Sequence, residues 1–504
     1  MRRARYVLVF ILVAAGSAWL FWPARWAING PMLHILLGRT LPPQSEDHVL
    51  ARLRVPPGFT VTRFAADLPN VRLLHVTSEG DILATQSRAG RVLLLRAAVP
   101  GQARTAGVVT LLEGLDRPHG IDWRDGWLYL GESRSIRRVR FDPATRTVSG
   151  TPETLVSGLP AGGNHWSRTL RVGPDGALYA TTGASCNACI EDERRASMLR
   201  FAADGSGQEV YATGLRNSVG FDWHPETGDL YATDNGRDLL GDDFPPCELN
   251  RIVRGGFYGF PFANGMRVPD PDLGAGHEAD VARSLPPVHA FRPHNAPLGI
   301  TFLRRPQAPS LRGAALVALH GSWNRTRKDG YKVVSLHFGA DGRIEERNFL
   351  TGFLENEEDV IGRPVDVAEG PDGALYVSDD YGGAVFRIAY GAMSAGETST
   401  GETSTASAAT GGAVAPSNAT PTPPFPPEAL QRGRALYEKQ DCAFCHEAKR
   451  PIAGVLPRRL TKLRLRYDLD SLVAFLRTPT PPMPVPPLND AERRDLAAYL
   501  LSLD

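Results

Sequence analysis

The chain of 504 residues exceeds one ordinary domain and has room for two or three. Its 56 Lys+Arg against 55 Asp+Glu leave a net charge of +1, so the basic excess of a nucleic-acid binder is absent. The 51 Gly and 41 Pro argue against a helical body and for many turns between short strands, and a hydrophobic content of 42% is enough for large cores.

The N-terminus reads MRRARYVLVFILVAAGSAWLFWPARW. Arg2, Arg3 and Arg5 precede an apolar stretch from Tyr6 to Trp22, at the short limit for crossing a bilayer. The flanking arginines predict a cytoplasmic N-terminus. A cleaved signal peptide is the alternative, because AGSA offers small residues before a cut. Trp19 to Trp22 carry the apolar run past that site and favour an uncleaved anchor over residues 1–24. In either case the body is exported, so the expected location is the periplasm, at the inner membrane. A connecting segment, 25–52, follows.

Residues 53–390 carry an internal repeat. Six windows combine a turn with a following strand: SEGDILAT (Ser78–Thr85), RDGWLYLG (Arg124–Gly131), PDGALYAT (Pro174–Thr181), ETGDLYAT (Glu226–Thr233), RGAALVAL (Arg312–Leu319) and PDGALYVS (Pro371–Ser378). Gly residues form the turns, and the residues after them alternate as a half-buried strand does. The glycines at 80, 126, 176, 228, 313 and 373 recur about every 50 residues, except for one long interval that marks an insertion near 240–300. Six such units predict an all-β, six-bladed propeller. Ligands of a propeller bind on its central channel, where polar residues from distant sequence positions meet.

Cys186 and Cys189 form a C-x-x-C pair, open to a disulfide within the pair, a disulfide to Cys247, a metal half-site or free thiols. A disulfide is favoured, because zinc would need a second ligand pair nearby.

Residues 391–427, with GETST twice in succession and many prolines, have almost nothing to bury and read as a disordered linker. The tail, 428–504, reads as helices: ALQRGRALYEKQ, DLDSLVAFLR and NDAERRDLAAYLLSL. Asn489 with Glu492 predicts a capping box, and Leu496, Tyr499 and Leu500 share one apolar face. Within it, Cys442-Ala443-Phe444-Cys445-His446 is a C-x-x-C-H run. In an exported protein this spacing attaches haem c: two thioethers from the cysteines and one axial nitrogen from the histidine. No histidine and one methionine, Met483, follow His446, so elimination makes Met483 the second axial ligand, suited to electron transfer. The tail resembles a small all-α class I cytochrome c. Seven Lys/Arg and no acid between Lys449 and Arg466 offer either a solvated surface or a docking face for an acidic redox partner.

Four stretches of the body carry a second resemblance: GGNHWSRTLRVGPDGALYATTG, TGLRNSVGFDWHPETGDLYATDNGRDLLGDDFPPCELNRIVRGGFYGFPF, HGSWNRTRKDGYKVV and GRPVDVAEGPDGALYVSDD. Their wording and order resemble the glucose/sorbosone dehydrogenase family from about 54 to 388, nearest its sorbosone branch. That family consists of six-bladed propellers that use pyrroloquinoline quinone (PQQ) and calcium. The resemblance implies His165 as catalytic base. It implies contacts from Arg216 and Asn217 to the quinone, Arg363 on a cofactor carboxylate, and backbone carbonyls of Gly236 and Arg237 on Ca²⁺, with Asp242 and Asp243 either adding charge or capping the loop.

The sequence also departs from the soluble glucose enzymes of that family. Their fifth-blade lysine falls in HGSWNRTRKDGYK, where Arg325, Lys332 or His320 would substitute. Their second carboxylate-binding arginine falls on Val365, an acid beside the base near Ala184, and a second-blade glutamine around Arg117-Pro118-His119. The implied activity is oxidation of a sugar or aldehyde, with electrons leaving through the haem to a cytochrome, oxidase or quinone. A calcium-dependent lactone hydrolase and a non-catalytic ligand-binding propeller with a haem sensor are the alternatives; neither explains the fused haem as well as oxidation does.

Overall fold

The computed structural model describes residues 27–31, 41–42, 44–97, 99, 101–391, 425–440, 442, 460, 463, 467, 469–477, 479, 486 and 488–503. The expected N-terminal anchor and most of the expected linker lie outside them. Among the described residues no helix is long and apolar enough to cross a membrane. The chain divides into two compact units, residues 1–398 and 399–504.

The first unit is a six-bladed propeller. Blade 1 comprises Val71–Val76, Ile82–Gln86, Arg91–Arg96 and Gly107–Leu112, paired in that order. Blade 2 runs from Gly120–Arg124 through Trp127–Gly131 and Ile136–Asp142 to Thr147–Val156. Blades 3, 4 and 5 begin at Leu170–Val172, Phe221–Trp223 and Pro297–Phe302. Blade 6 has Pro364–Glu369, Leu375–Asp379 and Ala384–Tyr390, and its outer strand is Phe59–Ala65 from the start of the unit, with Phe59 opposite Tyr390. The first strand of the propeller thus closes the ring on its last blade and leaves no unpaired break in it.

Each of the six repeat windows lies on the turn and second strand of one blade. Their burial differs from the half-buried expectation. Ile82–Gln86, Leu178–Thr182, Leu230–Asp234, Ala314–Leu319 and Leu375–Asp379 are buried at every position. A second strand is covered by the neighbouring blade on each face, so both of its faces are core.

In blades 1, 4 and 6 the last polar residue of the window ties its blade to the next. Thr85 Oγ1 donates to the His119 carbonyl (3.1 Å), Thr233 Oγ1 to Leu298 (2.7 Å) and Ser378 Oγ to Arg72 (2.6 Å), each an acceptor on the next blade. Blade 2 has Gly131 at this position, because a Cβ there would lie 2.6 Å from the Arg168 carbonyl. Alternate blades add a second tie: carboxylates of Asp122, Asp222 and Asp366 accept the amides of Val172 (2.8 Å), Phe302 (2.8 Å) and Leu74 (2.9 Å). Hydroxyl and carboxylate side chains thereby satisfy inner-strand backbone groups around the channel.

The long interval is not one inserted block. Cys247–Ile252 inside it is the third strand of blade 4, paired with Leu230–Asp234. The added chain lies in residues 253–288: Gly256–Phe257 pairs parallel with Glu209–Thr213 of blade 3, and a short helix, Glu278–Arg283, follows before the outer strand His289–Phe291.

The second unit holds helices Pro427–Lys439, Leu469–Arg477 and Asp490–Leu501. The capping box at Asn489 and Glu492 is formed in both directions. Leu496 and Leu500 are buried in an apolar cluster with Leu436, Leu472 and Leu476, and Tyr499 packs against its edge.

Candidate functional site

In each blade the start of the first strand and the end of the second lie at the same end of the ring, because the two strands are antiparallel. Side chains from these positions in blades 1, 3, 4, 5 and 6 line an axial cavity of about 300 Å³. It contains His165, Arg216, Asn217, Gly236, His320 and Arg363, residues that span 199 positions of sequence.

His165 precedes blade 3. Its ring Nδ1 lies 2.8 Å from the Ala184 carbonyl, which can only accept, so Nδ1 carries the hydrogen and Nε2 keeps its lone pair. Burial, reinforced by Arg216, lowers its pKa to about 4, so the ring is neutral at ordinary pH. The backbone carbonyl of Ala184 therefore orients the imidazole at the place where the sequence comparison lacked an acid. Gly183 makes room for this: a Cβ there would collide with the His165 Cβ and lie 3.1 Å from Asn217 Oδ1.

Arg216 and Arg363 occupy matching places before blades 4 and 6. Asp234, at the end of the second strand of blade 4, accepts the backbone amides of Arg216 (2.9 Å) and Asn217 (2.6 Å). Asp379 does the same in blade 6 for Arg363 (2.7 Å). Burial raises both carboxyls to about 7.

The two guanidinium groups differ in what they leave open. Arg216 spends every N–H on the protein: Nε on Asn187 O (2.9 Å), Nη1 on the carbonyls of Asn235 (3.2 Å) and Gly236 (2.9 Å), Nη2 on Asn187 Oδ1 (2.8 Å) and Asp238 Oδ2 (3.0 Å). Arg363 donates Nε to His320 O (3.1 Å) and Nη2 to Gly321 O (3.2 Å), and its Nη1 has no hydrogen-bond partner among the described residues. The amide of Asn217 borders the cavity beside His165.

Gly236 also lines the cavity, and its carbonyl, already accepting from Arg216, keeps a second lone pair. The side chain of Arg237 turns away to Asp270 (2.6 Å) and Asp272 (2.7 Å) in the added segment of blade 4. Asp242 accepts from the amide (3.0 Å) and hydroxyl of Thr326, so it ties two loops together.

The fifth-blade candidates separate. Arg325 is buried, with its guanidinium on the carbonyls of Asp242, Pro293 and Arg327, and it does not line the cavity. Lys332 donates to Asn348 across the blade (2.8 Å). His320 faces the cavity, with Nε2 2.9 Å from Asp380 Oδ1; burial and Arg363 lower its pKa to about 4. The other oxygen of Asp380 pairs with Arg72 at 2.7 Å. Burial would raise the Asp380 carboxyl, but His320, Arg72 and Arg363 hold it well below the usual carboxylate range. Val365 is fully buried with Val219 and Leu298 in an apolar patch. Arg117 stacks on the Trp166 ring, 4.1 Å from its centroid, and His119 meets that ring edge-on.

Sequence reasoning missed Arg72, Asp238, Trp166, Trp323 and Asp380, all on the cavity wall. Trp166 adjoins His165 and Asp380 follows the sixth window by two residues, so both carried a positional signal; Arg72 carried none. Cys186 and Cys189 form their disulfide within the pair, and Cys247 is a buried thiol against the cavity. In the helical unit Cys442 packs half-buried on the apolar cluster, while Cys445, His446 and Met483 lie outside the described residues.

A family model described as Glucose / Sorbosone dehydrogenase matches residues 130–387. A second, described as Cytochrome C oxidase, cbb3-type, subunit III, matches residues 428–500. An uncharacterized protein of Borreliella burgdorferi is 29% identical over 363 residues, 69% of this chain and 93% of that protein. The pyrroloquinoline quinone-dependent pyranose dehydrogenase of Coprinopsis cinerea is 25% identical over 419 residues, 67% of this chain and 54% of that protein. The calcium structure of a Trichoderma reesei family AA12 carbohydrate-active enzyme shares the fold: TM-score 0.60, 21% identity, 70% of this chain and 99% of that one.

Proposed function

Because the chain belongs to the glucose / sorbosone dehydrogenase family and carries a cytochrome domain, we propose that it oxidises a sugar or sugar-derived aldehyde in the axial cavity with PQQ. The electrons leave singly through a c-type haem on the tail to a respiratory acceptor. When bound, PQQ supplies a hydride-accepting quinone, Ca²⁺ a Lewis acid and the haem a one-electron couple.

The cavity fits a planar, carboxylate-bearing quinone. Arg363 offers unused N–H groups, Arg72 and Arg216 bring further positive charge, and Trp166 and Trp323 provide apolar faces. Arg216 is saturated by the protein, so its part is to hold the wall beside Gly236, while Arg363 would hold a cofactor carboxylate. The Gly236 carbonyl, followed by that of Arg237, would hold the calcium ion. Arg325 serves the loop fold instead. On the tail, Cys442 and Cys445 would carry the haem thioethers, with His446 and Met483 on the iron.

One observation carries the reading: His165 presents an unprotonated Nε2 in the same cavity as the open face of Arg363. That lone pair takes the proton of the substrate hydroxyl as its carbon–hydrogen bond is oxidised. A periplasmic, membrane-anchored chain would deliver electrons to a cytochrome, an oxidase or membrane quinone. The test is to load the full chain with PQQ and Ca²⁺ and follow haem absorption on adding aldoses or sorbosone. Haem reduction with at least one of them is expected. An intact haem that no sugar or aldehyde reduces overturns the reading.

A further inference from the structure

The Cys186–Cys189 bridge closes a small ring around Asn187 and Ala188 directly after the Ala184 carbonyl that orients His165. Asn187 sits in that ring as a four-bonded junction. Its carbonyl and Oδ1 accept from Arg216 Nε (2.9 Å) and Nη2 (2.8 Å). Oδ1 also accepts the Asp238 amide (2.8 Å), and Nδ2 donates to the Asp238 carbonyl (2.9 Å). The same loop is tied to blade 4 by the Ala184 amide on the Arg216 carbonyl (2.8 Å). Glu191 closes the far side, accepting the Ser185 amide.

We propose that Asn187, held by the Cys186–Cys189 disulfide, is the positioning residue that sets Arg216 and the Asp238 backbone in the cavity wall. The bridge is thereby a redox-sensitive clamp on cofactor binding. An open-chain Asn187 would sample many rotamers and backbone states; the ring removes most of them before Arg216 docks. Arg216, in turn, fixes the Gly236 carbonyl. A dithiol reductant breaks the sulfur–sulfur bond: each cysteine gains a hydrogen, and the dithiol becomes its own disulfide. This inference rests on the reading that the cavity takes PQQ.

The test uses the full chain in three forms: untreated; treated with a dithiol and desalted under argon, so that two thiols are gained; and Cys186→Ser/Cys189→Ser. Asn187→Ala, with its bridge intact, is the fourth sample. Two quantities are read: amide exchange at Asp238, and PQQ affinity with Ca²⁺ from quenching of tryptophan fluorescence. All three altered forms are expected to exchange the Asp238 amide faster and to bind PQQ on the order of tenfold more weakly, the loss expected for charge-assisted bonds. In Asn187→Ala the acid limb of the pH–rate profile also moves up, because Arg216 no longer sits fixed beside His165. Unchanged exchange, or faster exchange with unchanged affinity, overturns the clamp. Faster exchange in a protein whose untreated form binds no PQQ upholds the clamp on Asp238 and removes the PQQ reading instead.

Discussion

The Nδ1 of His165 donates to the backbone carbonyl of Ala184 at 2.8 Å, and this one bond decides which ring nitrogen can act as a base. Burial and Arg216 keep that nitrogen unprotonated down to about 4. Because the folded value lies below the ordinary 6.5, the base form persists as pH falls and is lost only near the lower value. Initial rates of haem reduction are therefore expected to stay level from about pH 8 to 5 on this account and to drop below it. His165→Ala should lower the rate by about 10²–10⁴-fold with the haem spectrum unchanged; retained activity would remove His165 as the base.

Gly183→Ala places a methyl against the His165 Cβ and near Asn217 Oδ1. Displacement of the imidazole is expected, with a stability loss of about 1–3 kcal/mol. Denaturant titration measures the second effect and turnover the first. An Ala variant with native turnover would show that the ring is not held in this tight a seat.

Two arginines that the sequence reading placed among the cofactor contacts should behave oppositely. Arg363→Ala removes the guanidinium with unused N–H groups in the cavity, and PQQ affinity should fall by about 10- to 100-fold. Arg325→Ala should leave affinity near native and lower the melting temperature, because its bonds run to loop carbonyls. Titration calorimetry and thermal melts separate the two; equal loss of affinity in both would contradict the assignment.

Four buried carboxyls pull stability down as pH rises, offset in part below about pH 6.5 by His165 and His320, whose lowered values act in the opposite sense. Burial raises Asp366 to about 6, Asp234 and Asp379 to about 7 and Glu248 to about 8. Unfolded carboxyls titrate near about 4, so the folded chain binds more protons between the two values. Their contribution is full below about pH 4 and is lost as pH rises through about 6 to 8. Melting temperature should fall from about pH 6.5 to 8, where the histidines are neutral in both states, and Asp379→Asn should flatten that slope while still accepting the Arg363 amide. A slope untouched by the substitution would argue that Asp379 is ionised throughout.

Removing both haem thiols, Cys442→Ala with Cys445→Ala, should abolish internal haem reduction and spare sugar-dependent reduction of a soluble dye. Loss of both activities would mean that the propeller cannot turn over without its tail.

The blade repeats were legible because a Gly turn followed by a strand leaves a local signature, and all six windows fell on second strands. Arg216 and Arg363 were legible only through the family resemblance of the stretches that hold them, GLRNSVGF and GRPVDVAE. Arg72 was not: it lies in an ordinary strand and becomes part of the site only by meeting Asp380, 308 positions away. Arg325 failed in the other direction, since its motif neighbours could not reveal that its guanidinium turns into the loop.

By itself the amino-acid sequence determined the number of blades and the helical tail, since these depend on local period, turn chemistry and composition. Only the tertiary structure decided that Arg216 is saturated and Arg363 open, that His165 carries its hydrogen on Nδ1, and that Cys186 bonds Cys189. Those outcomes depend on which donors and acceptors five blades bring within about 3 Å of one another. No sequence window contains that closure of the ring.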